Sequence, residues 1–211
     1  MSFFGRRKAR DAIAVVRADA RSLSEHDGIR TLHSFSAGAA YDADNVAFGA
    51  LVGVDDHTLS PGAGFAEHAH SGVAIVTWVV SGSLRHSDDA GGSAVLRAGE
   101  CAVQMAGRGV RHVEANASDT EPARFVQTTL VSDEDEPSYR VVTSPVIVGA
   151  ALFDVHRAKK LILEAARTHV FVAEGEFLVE DTALYAGDSA RITREPVTLN
   201  GSGVALVLLL R

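Results

Sequence analysis

Two short motifs in the first half of the chain carry side chains that commonly bind metal ions. The first, HAH, contains His68 and His70, and the second, HVE, contains His112 and Glu114. Residues two apart on a β-strand point to the same face, so each motif would present two metal-competent groups side by side. Three neutral imidazoles and one carboxylate suit a divalent transition metal such as iron, and they leave room for water or substrate.

Each motif alone has a simpler explanation, because two histidines on a surface strand are usually solvated. The pairing is the stronger signal, since the stretch between the motifs is long enough for several antiparallel strands that return the chain to the same place. Glycines also flank both motifs, and in strand-rich sequence they mark tight turns, bulges or close backbone approach. These glycines are Gly62, Gly64, Gly72, Gly107 and Gly109. The residues by themselves therefore favour one metal site.

The spacing of these residues resembles the two motifs of the cupin superfamily, G-x5-H-x-H and G-x2-H-x3-N. The matching residues are Gly62, His68 and His70 in the first motif, and Gly109, His112 and Asn116 in the second. Ile75 stands where a cupin has its glutamate ligand, whereas Gly82 keeps its place. The lost glutamate, together with Glu114 two residues after the third histidine, is typical of pirin-like bicupins.

This resemblance runs from about Leu32 to the C-terminus, and it is dense up to Asn116 and thin afterwards. It implies an all-β bicupin, with two β-barrel (double-stranded β-helix) halves. It also implies the metal ligands, which are His68, His70, His112 and Glu114.

The chain departs from the resemblance around the expected substrate pocket. Residues 71–74 are Ser-Gly-Val-Ala where relatives carry a polar, partly charged segment, and residues 102–105 are Ala-Val-Gln-Met where relatives carry a large residue. Gln127 is followed by Thr128-Thr129-Leu130, so the aromatic residue that relatives have after the second motif is missing as well. We therefore expect an intact metal site and an altered pocket.

The composition is that of an ordinary soluble globular protein, with 46% hydrophobic and 22% charged residues among 211. A net charge of −7 gives no sign of nucleic-acid or anionic-membrane binding. The single cysteine, Cys101, excludes an internal disulfide framework and suits a reducing cytoplasm. No apolar run has transmembrane length. The first residues carry positive charge without a continuous apolar segment, which favours a solvated arm over a targeting signal.

The apolar run Val73 to Val80 predicts a strand that is buried on both faces. Trp78 on this strand either walls the metal cavity or fills the core, and the sequence leaves both possibilities open. His86 lies next to Arg85 and close to two aspartates, and we interpret it as structural. A first strand is expected at Ala12 to Arg17.

An acidic run from Ser132 to Pro137 predicts the domain boundary, with a metal-binding cupin domain at residues 1–131 and a cupin-like domain at 132–211. The second half is predicted to consist of short strands and turns. Gly175 is expected at a hairpin, and the segment Leu161 to Arg167 could form one or two helical turns. Its only histidines, His156 and His169, form no HxH pair. We therefore predict no metal site there.

Two functions follow from the resemblance. The first is a quercetin 2,3-dioxygenase-type oxygenase that takes a small aromatic, flavonol-like substrate. Its metal would be Fe(II), with Ni, Zn, Cu or Mn as alternatives, and Glu114 would act as a ligand and, if it loosens from the metal, as a base. The second is a non-enzymatic, metal-dependent binding or regulatory module that acts on a protein partner.

Overall fold

The computed structural model describes residues 12–38, 40–157 and 159–211. The expected N-terminal arm lies outside these residues. The described chain is mostly β-strand with almost no helix, which confirms the all-β prediction. It has only two 3-10 helices, Ala18–Ala20 and Ala43–Asn45, and no helix in it is long and apolar enough to cross a membrane.

The first half of the chain builds a barrel from two facing sheets. In chain order the strands up to residue 142 are β1 (Ile13–Val16), β2 (Ser22–His26), β3 (Ile29–His33), β4 (Leu51–Leu59), β5 (Gly64–His70), β6 (Val73–Ser81), β7 (Ser83–Asp88), β8 (Ser93–Arg97), β9 (Cys101–Met105), β10 (Val110–Asn116), β11 (Ala123–Val131) and β12 (Ser138–Val142). Strands β2 to β12 form the barrel. The larger sheet has the order β12-β9-β6-β11-β4-β3-β2, and the smaller one has the order β5-β10-β7-β8. All of these pairings are antiparallel.

The second half forms a further antiparallel sheet. Its strands are β13 (Val146–Val148), β14 (Ala151–His156), β15 (Lys160–Leu163), β16 (Arg167–Val179), β17 (Thr182–Tyr185), β18 (Ser189–Ile192) and β19 (Val197–Leu210). The main order is β1-β18-β16-β19-β14-β13, while β15 pairs with β19 and β17 pairs with β16.

The two halves exchange strands at the predicted boundary. The first strand, β1, was expected from the sequence, and it forms the edge of the C-terminal sheet by pairing with β18. Strand β12 follows the acidic run but pairs with β9 in the N-terminal barrel. Sheet membership therefore crosses residue 131 in both directions, and the division at 131/132 stays a prediction.

A shared apolar core joins the halves. Ala74, Val76 and Trp78 alternate along β6 and pack in one cluster with Phe153 and Phe171 from the second half. Trp78 packs in this shared cluster, on the face of β6 that points away from the barrel interior, so it fills the core and does not wall the metal cavity. The other face of β6 points into the N-terminal barrel, where Val79 belongs to a separate apolar cluster.

Two local predictions in the second half were wrong. The segment 161–167 forms no helix, because Leu161 lies in β15 and Arg167 starts β16. Gly175 is not at a hairpin but inside β16, opposite Gly203 of β19. It has a φ of +81°, and a Cβ at this position would collide with the carbonyl oxygen of Ser202. Here glycine allows two strands to approach closely instead of turning the chain.

Candidate metal centre

Strands β5 and β10 bring the two histidine motifs together in the smaller sheet. They are antiparallel neighbours, and the register places His112 directly opposite His68 and Val110 opposite His70. The register shifts between His112 and Glu114, which is a bulge of the kind that redirects a side chain next to a site. The pairing of distant HxH and HxE motifs, which the sequence could only suggest, is therefore present in the fold.

Three imidazoles converge at this point. The ring centroids lie 5.0 Å apart for His68 and His70, 4.3 Å for His68 and His112, and 4.9 Å for His70 and His112. One nitrogen from each ring lies within 4.8 Å of the other two. Ligand nitrogens that bind one metal at about 2.1 Å lie roughly 3.0–3.4 Å apart. The three side chains thus lie close to the spacing that a metal requires.

The hydrogen bonds of His68 favour metal binding at its other ring nitrogen. Its Nδ1 lies 2.8 Å from the carbonyl oxygen of Ala66, which can only accept, so Nδ1 carries the proton. The free lone pair of Nε2 then faces Nε2 of His112 at 2.8 Å. When the proton of His112 is on Nδ1, two lone pairs face each other at this distance, and a cation between them removes their repulsion. The donor set therefore fits a divalent metal ion.

Burial favours the neutral form of His70 and His112, which metal coordination requires. The pKa of His112 is lowered to about 4, mainly by burial, and the neighbouring His68 and His70 add to this while Glu114 opposes it. The pKa of His70 is also lowered, again mainly by burial and then by His68. At neutral pH both rings have a lone pair available.

Glu114 lies beside this cluster in contact with a different set of groups. Both of its carboxylate oxygens accept hydrogen bonds from Nε2 of Gln127, at 3.0 and 2.8 Å. Burial on its own would raise the pKa of Glu114, but His86, His112 and Gln127 outweigh burial and lower it, so the carboxylate is ionised. Its oxygens group within 4.8 Å with nitrogens of His86 and His112, but not with those of His68 and His70. The four-residue ligand set stays a prediction.

His86 is more closely tied to the site than the sequence suggested. It is 1% exposed, with Nε2 3.0 Å from Oδ2 of Asp88 and with Nδ1 3.7 Å from Oε1 of Glu114. The latter distance is that of an ion pair rather than a hydrogen bond. Tyr139 from β12 stacks on the ring at 3.9 Å. Burial opposes protonation, yet the two carboxylates raise the pKa of His86 overall. The sequence signal that could have indicated this role was the HxD spacing of His86 and Asp88.

Gln127 was also missed as a functional residue. It lies on the inner face of β11, and its amide contacts Oγ1 of Thr77 at 3.2 Å as well as Glu114. The signal in the sequence was an amide side chain two residues after Phe125, on the face of β11 that points into the barrel.

Two of the predicted pocket alterations, at residues 71–74 and 102–105, lie in different surroundings. Ser71 and Gly72 form the turn between β5 and β6, near the histidines, whereas Ala74 packs into the core shared with the second half. In β9, Ala102 and Gln104 share a face, and Ala102 packs in the apolar cluster inside the N-terminal barrel. Only part of the changed sequence therefore borders the metal centre.

His156 and His169 lie on β14 and β16, outside this centre. His169 is completely buried, and burial lowers its pKa to about 3. Within the described residues, both clusters of potential metal ligands are in the first half. The absence of a second metal site remains a prediction.

The fold and the site together define an all-β bicupin. A family model described as Pirin matches residues 16–130, which is more than half of the chain, so the protein belongs to the Pirin family. The fold is similar to that of the Escherichia coli bacterial pirin YhhW, whose crystal structure is a complex with nickel(II). The TM-score is 0.85 and the identity 24%, over 94% of this chain and 99% of that one. The bicupin prediction is confirmed.

Two sequence relatives carry the name quercetin 2,3-dioxygenase. A Mycobacterium tuberculosis protein, named provisionally as a quercetin 2,3-dioxygenase, is 40% identical over 121 residues, which cover 57% of this chain and 50% of the relative. The quercetin 2,3-dioxygenase of Escherichia coli K12 is 31% identical over 149 residues, or 70% of this chain and 61% of the relative. The chain thus matches half to about three fifths of the length of these relatives.

Proposed function

We propose that this protein is a metal-dependent dioxygenase that acts on flavonols of the quercetin type. The convergence of His68, His70 and His112 within the N-terminal barrel is the observation that carries the proposal. The names of the relatives support the reaction and the substrate class. The altered turn at Ser71 and Gly72 would hold a planar substrate less tightly. Turnover would then be slow, because poor positioning of the substrate lowers the rate directly.

The residues that would hold the metal are His68, His70, His112 and Glu114. When bound, a divalent metal would polarise a substrate oxygen and orient the substrate toward O2. Fe(II) is the metal we propose, and the affinity order of divalent ions would let nickel, copper or zinc replace it during purification.

The surrounding side chains set the charge and the orientation of the groups that would bind the metal. His112 and His70 stay neutral because of burial, so their lone pairs are free at physiological pH. Gln127 fixes the carboxylate of Glu114, which is ionised and can accept the proton of a substrate hydroxyl at Oε1 or Oε2. An apolar layer beneath the site, which includes Phe125 and Leu84, excludes water from the floor of the barrel.

Turnover of quercetin tests the proposal. Oxygen uptake and the loss of quercetin absorbance would be followed with iron-reconstituted protein, beside the same concentration of free iron. We expect slow turnover that exceeds the free-iron rate and disappears in His112→Ala. A rate equal to that of free iron would contradict the dioxygenase proposal for this substrate, and it would leave a non-enzymatic binding module as the explanation of the histidine cluster.

A further inference from the structure

A second chemically competent arrangement lies on strands β2, β3 and β4, at one edge of the larger sheet of the N-terminal barrel. Oγ of Ser24 is 2.9 Å from Nε2 of His33, and Nδ1 of the same ring is 2.8 Å from Oδ1 of Asp55. Serine, imidazole and carboxylate are therefore joined in the order, and through the atoms, that a nucleophilic triad requires.

The tautomer of His33 follows from its two hydrogen-bond partners. The carboxylate of Asp55 can only accept, so Nδ1 of His33 donates to it. Nε2 then has a free lone pair and accepts the hydroxyl proton of Ser24. This is the tautomer in which a histidine removes a proton from a serine nucleophile, with the aspartate fixing the orientation of the ring.

The strand register explains why three distant residues meet. Asp55 lies directly opposite His33 in the β3–β4 pairing, and Ser24 lies diagonally across the β2–β3 hairpin, where Ser22 is opposite His33. A two-residue turn at Asp27 and Gly28, both with positive φ, fixes the hairpin register. The arrangement is therefore held by a rigid sheet rather than by a loop.

The backbone beside Ser24 can supply a hydrogen-bond donor for a developing oxyanion. Strand β2 is the last strand of its sheet. In this register Ser24 and Thr31 form a hydrogen-bonded pair, so the N–H of Glu25 points away from β3 toward the open edge. The N–H of the residue that follows the nucleophile serves as an oxyanion donor in α/β-hydrolases.

The triad is accessible to a small substrate. The side chain of His33 is 18% exposed and that of Asp55 is 27% exposed, and Ser24 is half-buried. His33 also borders a cavity of about 260 Å³ that is lined in part by Ser22 and by Tyr41, which is 74% exposed. Tyr41 gives this cavity an aromatic surface for the small apolar or aromatic group of an ester.

From these observations we propose that Ser24, His33 and Asp55 form a second, metal-independent active site that hydrolyses small carboxylic esters. Oγ of Ser24 forms a bond to the ester carbonyl carbon while its proton moves to Nε2 of His33. The carbon–oxygen bond to the leaving group then breaks, and the leaving oxygen takes that proton. Water next gives a proton to Nε2 of His33 while its oxygen bonds to the acyl carbon. The bond between that carbon and Oγ then breaks, which releases the carboxylic acid, and Oγ takes the proton back from His33.

A hydrogen-bonded serine and histidine could instead do no more than brace the hairpin. A bracing role predicts an ordinary, unreactive hydroxyl, whereas a nucleophilic role predicts covalent capture by reagents that require an activated serine. The two explanations therefore differ in an observable that does not depend on stability.

The test is labelling of the full chain with a fluorophosphonate, followed by peptide mass spectrometry, alongside hydrolysis of p-nitrophenyl acetate. We expect the phosphonate on Ser24, and we expect Ser24→Ala to lose both the label and the hydrolysis. His33→Gln and Asp55→Asn should each slow hydrolysis at least about tenfold. Ser93→Ala, at an exposed serine of β8, serves as the control and should keep both.

The same assays separate this site from the metal centre. Protein stripped with a chelator should keep its phosphonate label and its ester hydrolysis, because none of the three residues belongs to the histidine cluster. No label on the Ser24 peptide, or wild-type hydrolysis in Ser24→Ala, would overturn the proposal. Loss of the hydrolysis on chelation alone would assign it to the metal and would also overturn the proposal.

Discussion

Gln127 donates through its side-chain amide to both oxygens of Glu114, and this contact ties the candidate carboxylate ligand to the opposite sheet of the barrel. Gln127 belongs to β11 in the larger sheet, whereas Glu114 belongs to β10 in the smaller one. The orientation of Glu114 is thus set by the distance between the two sheets as well as by its own strand.

Replacing Gln127 with Leu should weaken metal binding about 10–100-fold, because partners that orient a metal ligand contribute about that much to affinity. The measurement is competition with a metallochromic chelator. Gln104→Leu is the matched control, since the Gln104 amide bonds to backbone carbonyls of Met105 and Ser138 instead. Equal affinities in the two variants would show that Glu114 does not depend on Gln127.

One metal ion is expected per chain, and His68→Ala should lose it because two imidazoles cannot replace three. Elemental analysis of protein that was purified without a metal-affinity step measures the stoichiometry. His26→Gln serves as the control, because this histidine has a 60% exposed side chain and should not affect the metal. Equal metal content in wild type and His68→Ala would contradict the assignment.

Acidification should release the metal, because the imidazoles must be neutral to coordinate and protons compete for the same nitrogens. Burial lowers the pKa of His112 to about 4 and also lowers the pKa of His70. At His112 and His70, protons therefore compete only at a lower pH than for an ordinary histidine of pKa about 6.5. We expect affinity to fall below about pH 6 and most steeply toward pH 4, as equilibrium dialysis would show. Half-release above pH 6.5 would be inconsistent with these shifts.

The second half should contribute no metal ligand. Substituting His156 and His169 together with Gln is expected to leave the metal content unchanged, while His112→Gln, made in parallel, should remove the metal. Thermal melts would show that the double variant stays folded, which matters because His169 is fully buried. Loss of metal from a folded double variant would show that the site spans both halves.

Glu114→Gln should bind the metal less tightly and lose flavonol turnover, since the size of the side chain is kept but its negative charge and its basicity are removed. Oxygen uptake at saturating iron separates weaker binding from slower chemistry. A variant that matches an active wild type would show that Glu114 is neither an essential ligand nor a base.

The sequence by itself determined the strand-rich fold and the two short motifs that carry the three histidines. This was possible because the i, i+2 spacing on one strand and the glycines around it are local properties of contiguous residues. Local patterns also placed the edge strand β1 and the buried strand β6 correctly.

The tertiary structure alone decided which distant side chains act on that cluster. Gln127 on β11 and Tyr139 on β12 reach Glu114 and His86 only because strand order and register bring them there. The exchange of β1 and β12 between the halves and the close approach of Gly175 to Gly203 depend in the same way on pairings between remote segments. A single strand specifies the face on which a residue lies, but its partners across the sheet and the barrel are set by long-range packing.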